Sequence, residues 1–211
     1  LWIGQHIQPN VNSPLIMLSL SMGGNIGMHY LLQNPNIFTA AAFIAPMFGI
    51  KSMNAIPLSS QISKVLKRFA ADSYVPGGGD WRKSMHPGPK KSILTKDPER
   101  NPVHNAWSLA VPELQIGGVT FGWVYEAHRS CKTIQKSDFS DIRLPCLIAC
   151  AQHEILVDNK TARKVALKLP QVKLVMLQGS YHEPLMERDD IRNRFLKEFY
   201  MLIEEGLKER E

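Results

Sequence analysis

Ser21, His182 and an acidic residue within 154–158 are the side chains whose types and order could do chemistry together. A serine hydroxyl is too weak an acid to attack a carbonyl unaided. It needs an imidazole to take its proton, and the imidazole needs a carboxylate to fix its tautomer. Ser21 lies in Ser19-Leu20-Ser21-Met22-Gly23-Gly24, with small residues two before and two after it. That is the layout of a nucleophile elbow, G-x-S-x-G, with Ser19 in place of the first glycine. At the start of a helix, the backbone N–H of Met22 would face a developing oxyanion. His182 lies in Gly179-Ser180-Tyr181-His182-Glu183 and is the candidate base. The candidate acids are Glu154 and Asp158, in Gln152-His153-Glu154-Ile155-Leu156-Val157-Asp158-Asn159. Glu154 is preferred because it sits closest after a strand, and Asp158 is held in reserve. Each residue also has a plain reading. Ser21 caps an ordinary helix with Gly23-Gly24 as packing, His153 is a loop histidine, and Glu183 caps a turn or faces solvent.

These residues can meet only if the elements before them bring them to one place. Leu15–Leu18 is a short continuous apolar run, the pattern of a strand buried on both faces. Apolar residues then recur at helical spacing through Ile26, Tyr30 and Leu31, up to the Asn34-Pro35 stop. Phe38–Phe48 reads as a second buried strand, and the strand–helix–strand unit implies parallel pairing. Pro145–Ala151 is a third strand, 160–169 a helix ended by Pro170, Val172–Leu177 a fourth strand, and Asp189–Lys208 a long terminal helix. In a parallel sheet the serine, the acid and the histidine then all fall at carboxyl ends of strands, where ligands bind in such sheets. Lys51–Asp141 breaks the alternation. It has a helical patch at 61–71, the run Pro76-Gly77-Gly78-Gly79 and an aromatic stretch from Trp107 to Tyr125. It reads as an inserted, mostly helical cap that shapes a substrate site. Residues 1–13 read as the tail of a helix and a loop, with Trp2, Ile3 and Ile7 on a buried face.

Composition narrows the class. With 211 residues, 44% hydrophobic and 21% charged, the chain has room for one good core. The net charge of +6 is dispersed, apart from Arg82-Lys83 and Lys90-Lys91, and slightly favours contact with a lipid surface over a merely solvated exterior. There is no nucleic-acid motif and no apolar run long enough to span a bilayer. Three cysteines without C-x-x-C spacing argue against a disulfide framework or a zinc site, and Cys146 and Cys150 fit as small buried residues. No cofactor and no metal is expected.

SLSMGGNIG, AQHEILVDN and GSYHE together resemble the branch of serine hydrolases that holds monoacylglycerol lipases and bacterial lysophospholipases of the L2 type. IAPMFGI at 44–50, LTKDPERN at 94–101 and PELQIGGVTFGWVYEA at 112–127 look like the same group. The resemblance covers nearly all of the chain from Pro14 on. It implies an α/β-hydrolase fold with four strands retained: a core of 1–50 and 141–211, and a cap or lid of 51–140. It implies a triad of Ser21, Glu154 and His182, with Met22 as oxyanion donor. The implied reaction is hydrolysis of the carboxylic ester of a single-chain lipid, a monoacylglycerol or lysophospholipid, through an acyl-enzyme. The small lipid ester is the expected partner, and the expected location is the cytoplasm with peripheral contact at the inner membrane. The sequence departs from the pattern at Leu20, where the group usually has His. The group also carries about four earlier strands and a His-Gly turn that supplies a second oxyanion N–H, and nothing in residues 1–13 matches them. The expectation is therefore a C-terminal part of a hydrolase. The rival expectation is an impaired fragment whose exposed strand edge pairs with another chain.

Overall fold

Four short, mostly apolar runs form one parallel sheet in the order β1-β2-β3-β4. The strands are β1 (Ile16–Leu20), β2 (Ala40–Ile44), β3 (Cys146–Ala151) and β4 (Val172–Leu177). The computed structural model describes residues 13–55, 59–85 and 88–209. The expected buried face at Trp2, Ile3 and Ile7 lies outside these residues. Register is continuous, with Leu18 opposite Ala42, Phe43 opposite Ile148 and Ile148 opposite Leu174.

β2 and β3 are buried at every position, as expected for interior strands of a covered parallel sheet. Their side chains alternate between two cores. Ala41, Phe43, Cys146, Ile148 and Cys150 pack with Met28 and Leu31 of α1 (Met22–Gln33) and Ala162 and Val165 of α6 (Asn159–Ala166). Ala40, Ala42, Ile44, Leu147 and Ala149 pack with Phe195 and Leu202 of α7 (Asp189–Lys208) on the other face. The two-residue period of a strand and the covered faces of three helices give a three-layer arrangement.

Two strand expectations need correction. β1 is not buried on both faces. It is an outer strand among the described residues, and Leu18 is 45% exposed. β2 stops at Ile44, well short of Phe48, because Ala45 takes a positive φ of 40° and Pro46 follows.

Between β2 and β3 lie α2 (Lys51–Ala55), α3 (Ser59–Ala70), α4 (Val103–Ala110) and α5 (Phe121–Lys136), with no further strand among the described residues. Thr120 caps α5 by accepting from the Trp123 N–H. The far half of α5 turns into the sheet layers, burying Ala127, Cys131 and Ile134. No helix among the described residues is long and apolar enough to cross a membrane.

Candidate active site

Ser21 sits between β1 and α1 at φ 52° and ψ −116°. A side chain-bearing residue in that region is strained by about 1–3 kcal/mol, and surrounding bonds must hold it there. They do. The Ser21 N–H donates to the Ile44 carbonyl at 2.9 Å, and the Ser21 carbonyl accepts from the N–H groups of Met47 at 2.9 Å and Gly24 at 3.0 Å. Asn25, buried in α1, donates through Nδ2 to the Met47 carbonyl at 2.9 Å, which fixes the same segment from behind. Ser19 uses its hydroxyl, donating to the Ala42 carbonyl across the β1–β2 pair at 3.1 Å. The closest backbone approach differs from the one the elbow pattern implies. A Cβ on Gly23 would meet nothing within 4 Å, whereas one on Gly24 would lie 2.9 Å from Pro46 Cβ and 3.1 Å from its Cα.

The turn places the hydroxyl beside His182. Ser21 Oγ lies 2.9 Å from His182 Nε2, and His182 Nδ1 lies 2.6 Å from Glu154 Oε2. A carboxylate can only accept, so the neutral imidazole carries its proton on Nδ1 and offers Nε2 as acceptor to the serine. Glu154 and His182 are 5% and 4% exposed. Burial alone would push the Glu154 carboxyl up. The hydrogen bond from His182, the charge of that ring when protonated, and the backbone N–H groups of Leu156 and Val157 outweigh it and hold the group below the usual carboxylate range. Leu156 N and Val157 N reach Glu154 Oε1 at 2.7 and 3.3 Å.

Asp158, the reserve acid, is not brought to the imidazole. Its carboxylate caps α6, accepting from the Lys160 N–H at 2.9 Å and the Thr161 hydroxyl at 2.8 Å. Met22 opens α1, where the first N–H groups have no partner within the helix. The His153 ring lies beside that of Tyr181, tilted by 31°, with ring centres 5.0 Å apart. Glu183 opens the Pro184–Met186 turn, its carbonyl accepting from the Met186 N–H at 2.9 Å, but its side chain makes no cap bond and does not face solvent. Its Oε2 meets His104 Nε2 of α4 at 2.7 Å, and that bond, against the burial of the ring, raises the imidazole above its ordinary value. The pairing spans 79 residues and has no local signal in the sequence. The three cysteines are free and buried, and burial pushes Cys131 and Cys150 up to about 11 and Cys146 up to about 12. They stay protonated thiols near neutral pH and are poor nucleophiles.

Residues 2–189 match the Hydrolase_4 family, described as serine aminopeptidase S33. Among curated proteins, lysophospholipase L2 of Escherichia coli K12 is 29% identical over 199 residues, covering 90% of this chain and 57% of that protein. The probable lysophospholipase L2 of Haemophilus influenzae is 28% identical over 181 residues, covering 86% of this chain and 56% of that protein. The chain thus spans a little over half the length of these relatives. Among solved structures, monoacylglycerol lipase of Paleococcus ferrophilus superposes with a TM-score of 0.69 at 15% identity, over 96% of this chain and 73% of that one. A soluble variant of monoglyceride lipase from Saccharomyces cerevisiae gives 0.68 at 18% identity, over 92% of this chain and 66% of that one. These likenesses show the α/β-hydrolase fold.

Proposed function

The chain belongs to the Hydrolase_4 (serine aminopeptidase S33) family of α/β-hydrolases, and from that premise we propose that it carries the catalytic centre of a carboxylic ester hydrolase acting on a single-chain lipid, with Ser21 as nucleophile. The carrying observation is the relay itself: Ser21 Oγ, His182 and Glu154 in line at 2.9 and 2.6 Å, drawn from positions 161 and 28 residues apart.

Ser21 Oγ attacks the ester carbonyl carbon as its proton passes to His182 Nε2. The carbonyl oxygen becomes an oxyanion that the Met22 N–H stabilises at the head of α1. As the tetrahedral intermediate collapses, the bond to the alkoxy oxygen breaks. His182 gives its proton to the departing glycerol or glycerophosphoryl alcohol, leaving an acyl ester on Ser21. Water then attacks that ester with His182 again as base, and the fatty acid leaves. Glu154 stays ionised and fixes the ring through Nδ1–H.

The choice of a lipid ester over a peptide amide leans on the lysophospholipase and monoglyceride lipase relatives, since the fold hosts both reactions. Residues 51–140 act as the cap over the acyl chain. Trp107 at 61%, Ile116 at 79% and Leu109 at 52% exposure give that region an apolar exterior suited to peripheral contact with a membrane.

A fluorophosphonate probe followed by peptide mapping tests the nucleophile. Label on Ser21, lost in Ser21→Ala, is the expected result, and no label on the folded chain overturns it. Turnover of monoacylglycerol, lysophosphatidylcholine, short p-nitrophenyl esters and an aminoacyl p-nitroanilide tests the substrate class. Preference for the anilide overturns the ester reading.

A further inference from the structure

The loop that carries His182 is held from its far side by residues outside the relay. Three consecutive backbone donors are taken up there. The Tyr181 N–H donates to Glu187 Oε1 at 2.9 Å, His182 N to the Ile93 carbonyl at 3.5 Å, and Glu183 N to the Leu94 carbonyl at 2.9 Å. Glu187 spans the gap. Its other oxygen, Oε2, accepts from the Lys96 N–H at 3.4 Å. Its carbonyl accepts from the Arg100 guanidinium, which also pairs with Asp189 at the start of α7. Thr95 donates through Oγ1 to the Met186 carbonyl at 2.8 Å. Thr95 is 0% and Glu187 1% exposed, so the bonds of their side chains are shielded from water, whereas the Arg100–Asp189 pair is exposed. Asp97, 8% exposed, closes the turn within the strap by accepting from the N–H groups of Glu99 and Arg100.

We propose that Glu187 and the strap Ser92–Asn101 form a clasp that positions His182, with Glu187 as the positioning residue that ties strap to base loop. The proposal rests on His182 being the base. A buried carboxyl is costly unless it is bonded, and both oxygens of this one go to backbone N–H groups on opposite sides of one seam. Its bond to Tyr181 lies one residue from the imidazole that must stay 2.9 Å from Ser21 and 2.6 Å from Glu154. Release of the bond lets the ring drift, and misplacement of about 1 Å at a reacting centre costs on the order of 10²-fold in rate. The strap is thus part of the catalytic end of the sheet as well as a stretch of the insertion.

The test compares Glu187→Gln and Thr95→Val with wild type in the full chain. The Glu187→Gln change keeps the shape but turns an amide N–H toward a backbone donor. The Thr95→Val change keeps the shape and removes both the bond to the Met186 carbonyl and the one from the Asp97 N–H within the strap. Expected for Glu187→Gln is a fall in kcat of about 10–100-fold with KM within twofold. The rate of fluorophosphonate labelling at Ser21 should fall in parallel. The low-field proton resonance of His182 Nδ1–H, absent in His182→Ala, should broaden or shift. Thr95→Val moves all three readouts the same way by less, and it decides the matter if Glu187→Gln does not fold. Unchanged kcat and resonance in a folded variant overturn the proposal, as does a rise in KM alone. A wild-type chain that shows the resonance but no labelling refutes the nucleophile assignment while leaving the resonance arm to decide the clasp.

Discussion

The two ends of the Ser21–His182–Glu154 hydrogen-bonded row are built differently. At the acid and base end, Glu154 and His182 are almost fully buried, and the loops around them are bonded at nearly every residue. The acid loop is pinned to the exit of β2 through Asp158 N to the Gly49 carbonyl, Lys51 N to the Leu156 carbonyl and Lys51 Nζ to the Glu154 carbonyl. At the nucleophile end, the elbow is held on its inner side by Ile44 and Met47, while its outer flank shows Leu18, Met22 and Ile26 at 45%, 46% and 60% exposure. Under the proposed reading, the groups that would move protons are preorganised by the described chain, and the surface where negative charge would develop is the open one. Preorganised dipoles around a reacting centre need no rearrangement during the reaction, so the buried end is where single substitutions should be most costly.

Glu154→Gln should break that end hardest. The amide keeps the shape but favours the wrong tautomer of His182, and a loss of about 10⁴-fold in kcat is expected, measured on a p-nitrophenyl ester. The pH dependence follows from the direction of the shift. The Glu154 pKa is held below the ordinary value. Its ionised form therefore stabilises the fold above the unfolded-state pKa, and that contribution is lost as pH falls through the lower folded pKa. In acid, wild type should lose stability across a range where Glu154→Gln no longer titrates. Asp158→Asn is the contrast. It weakens a helix cap, costs about 1 kcal/mol or less in melting experiments and leaves kcat within a few-fold. Equal losses of kcat in the two variants would remove the distinction between the acids.

On the nucleophile side, a pair of alanines separates tight from open packing one residue apart. Gly24→Ala pushes a methyl into the Pro46 backbone and should cost about 1–3 kcal/mol, with a loss of activity as the elbow shifts. Gly23→Ala meets open space among the described residues and should be neutral or stabilising by up to about 1 kcal/mol, as alanine is in a helix. Urea denaturation of both variants measures the difference. A large cost at Gly23 would mean that the outer flank of the elbow is covered in the folded protein.

The sheet was legible because its interior strands β2 and β3 are continuous apolar runs of the length a doubly covered sheet requires, and β1 and β4 are mostly apolar runs beside them. Their parallel order then leaves only one edge where Ser21, Glu154 and His182 can gather. What stayed hidden depends on partners far apart in sequence. Nothing local to Ala45 marks its positive φ, so β2 read too long. LTKDPERN has no helical or strand period. Its structure comes from side chain-to-backbone bonds across some 90 residues, such as Thr95 to Met186, and these leave no trace in hydrophobic patterning. Glu183 and Glu187 look like ordinary loop acids until α4 and the strap are set against them.

The smallest effect carries the comparison to the sheet itself. Leu18 on β1 and Ile148 on β3 are both aliphatic residues in strands, at 45% and 0% exposure. Leu18→Lys puts a charge beside solvent and should change stability by no more than about 0.5 kcal/mol. A lysine on an outer strand also opposes edge-to-edge pairing, so light scattering should show less self-association. Ile148→Lys buries an unpaired ammonium between two covered faces and should abolish cooperative folding. The informative case is Leu18→Lys turning out costly. The penalty for a charge measures how much apolar contact the side chain has lost, so a cost of several kcal/mol would show that β1 is an interior strand in the folded protein.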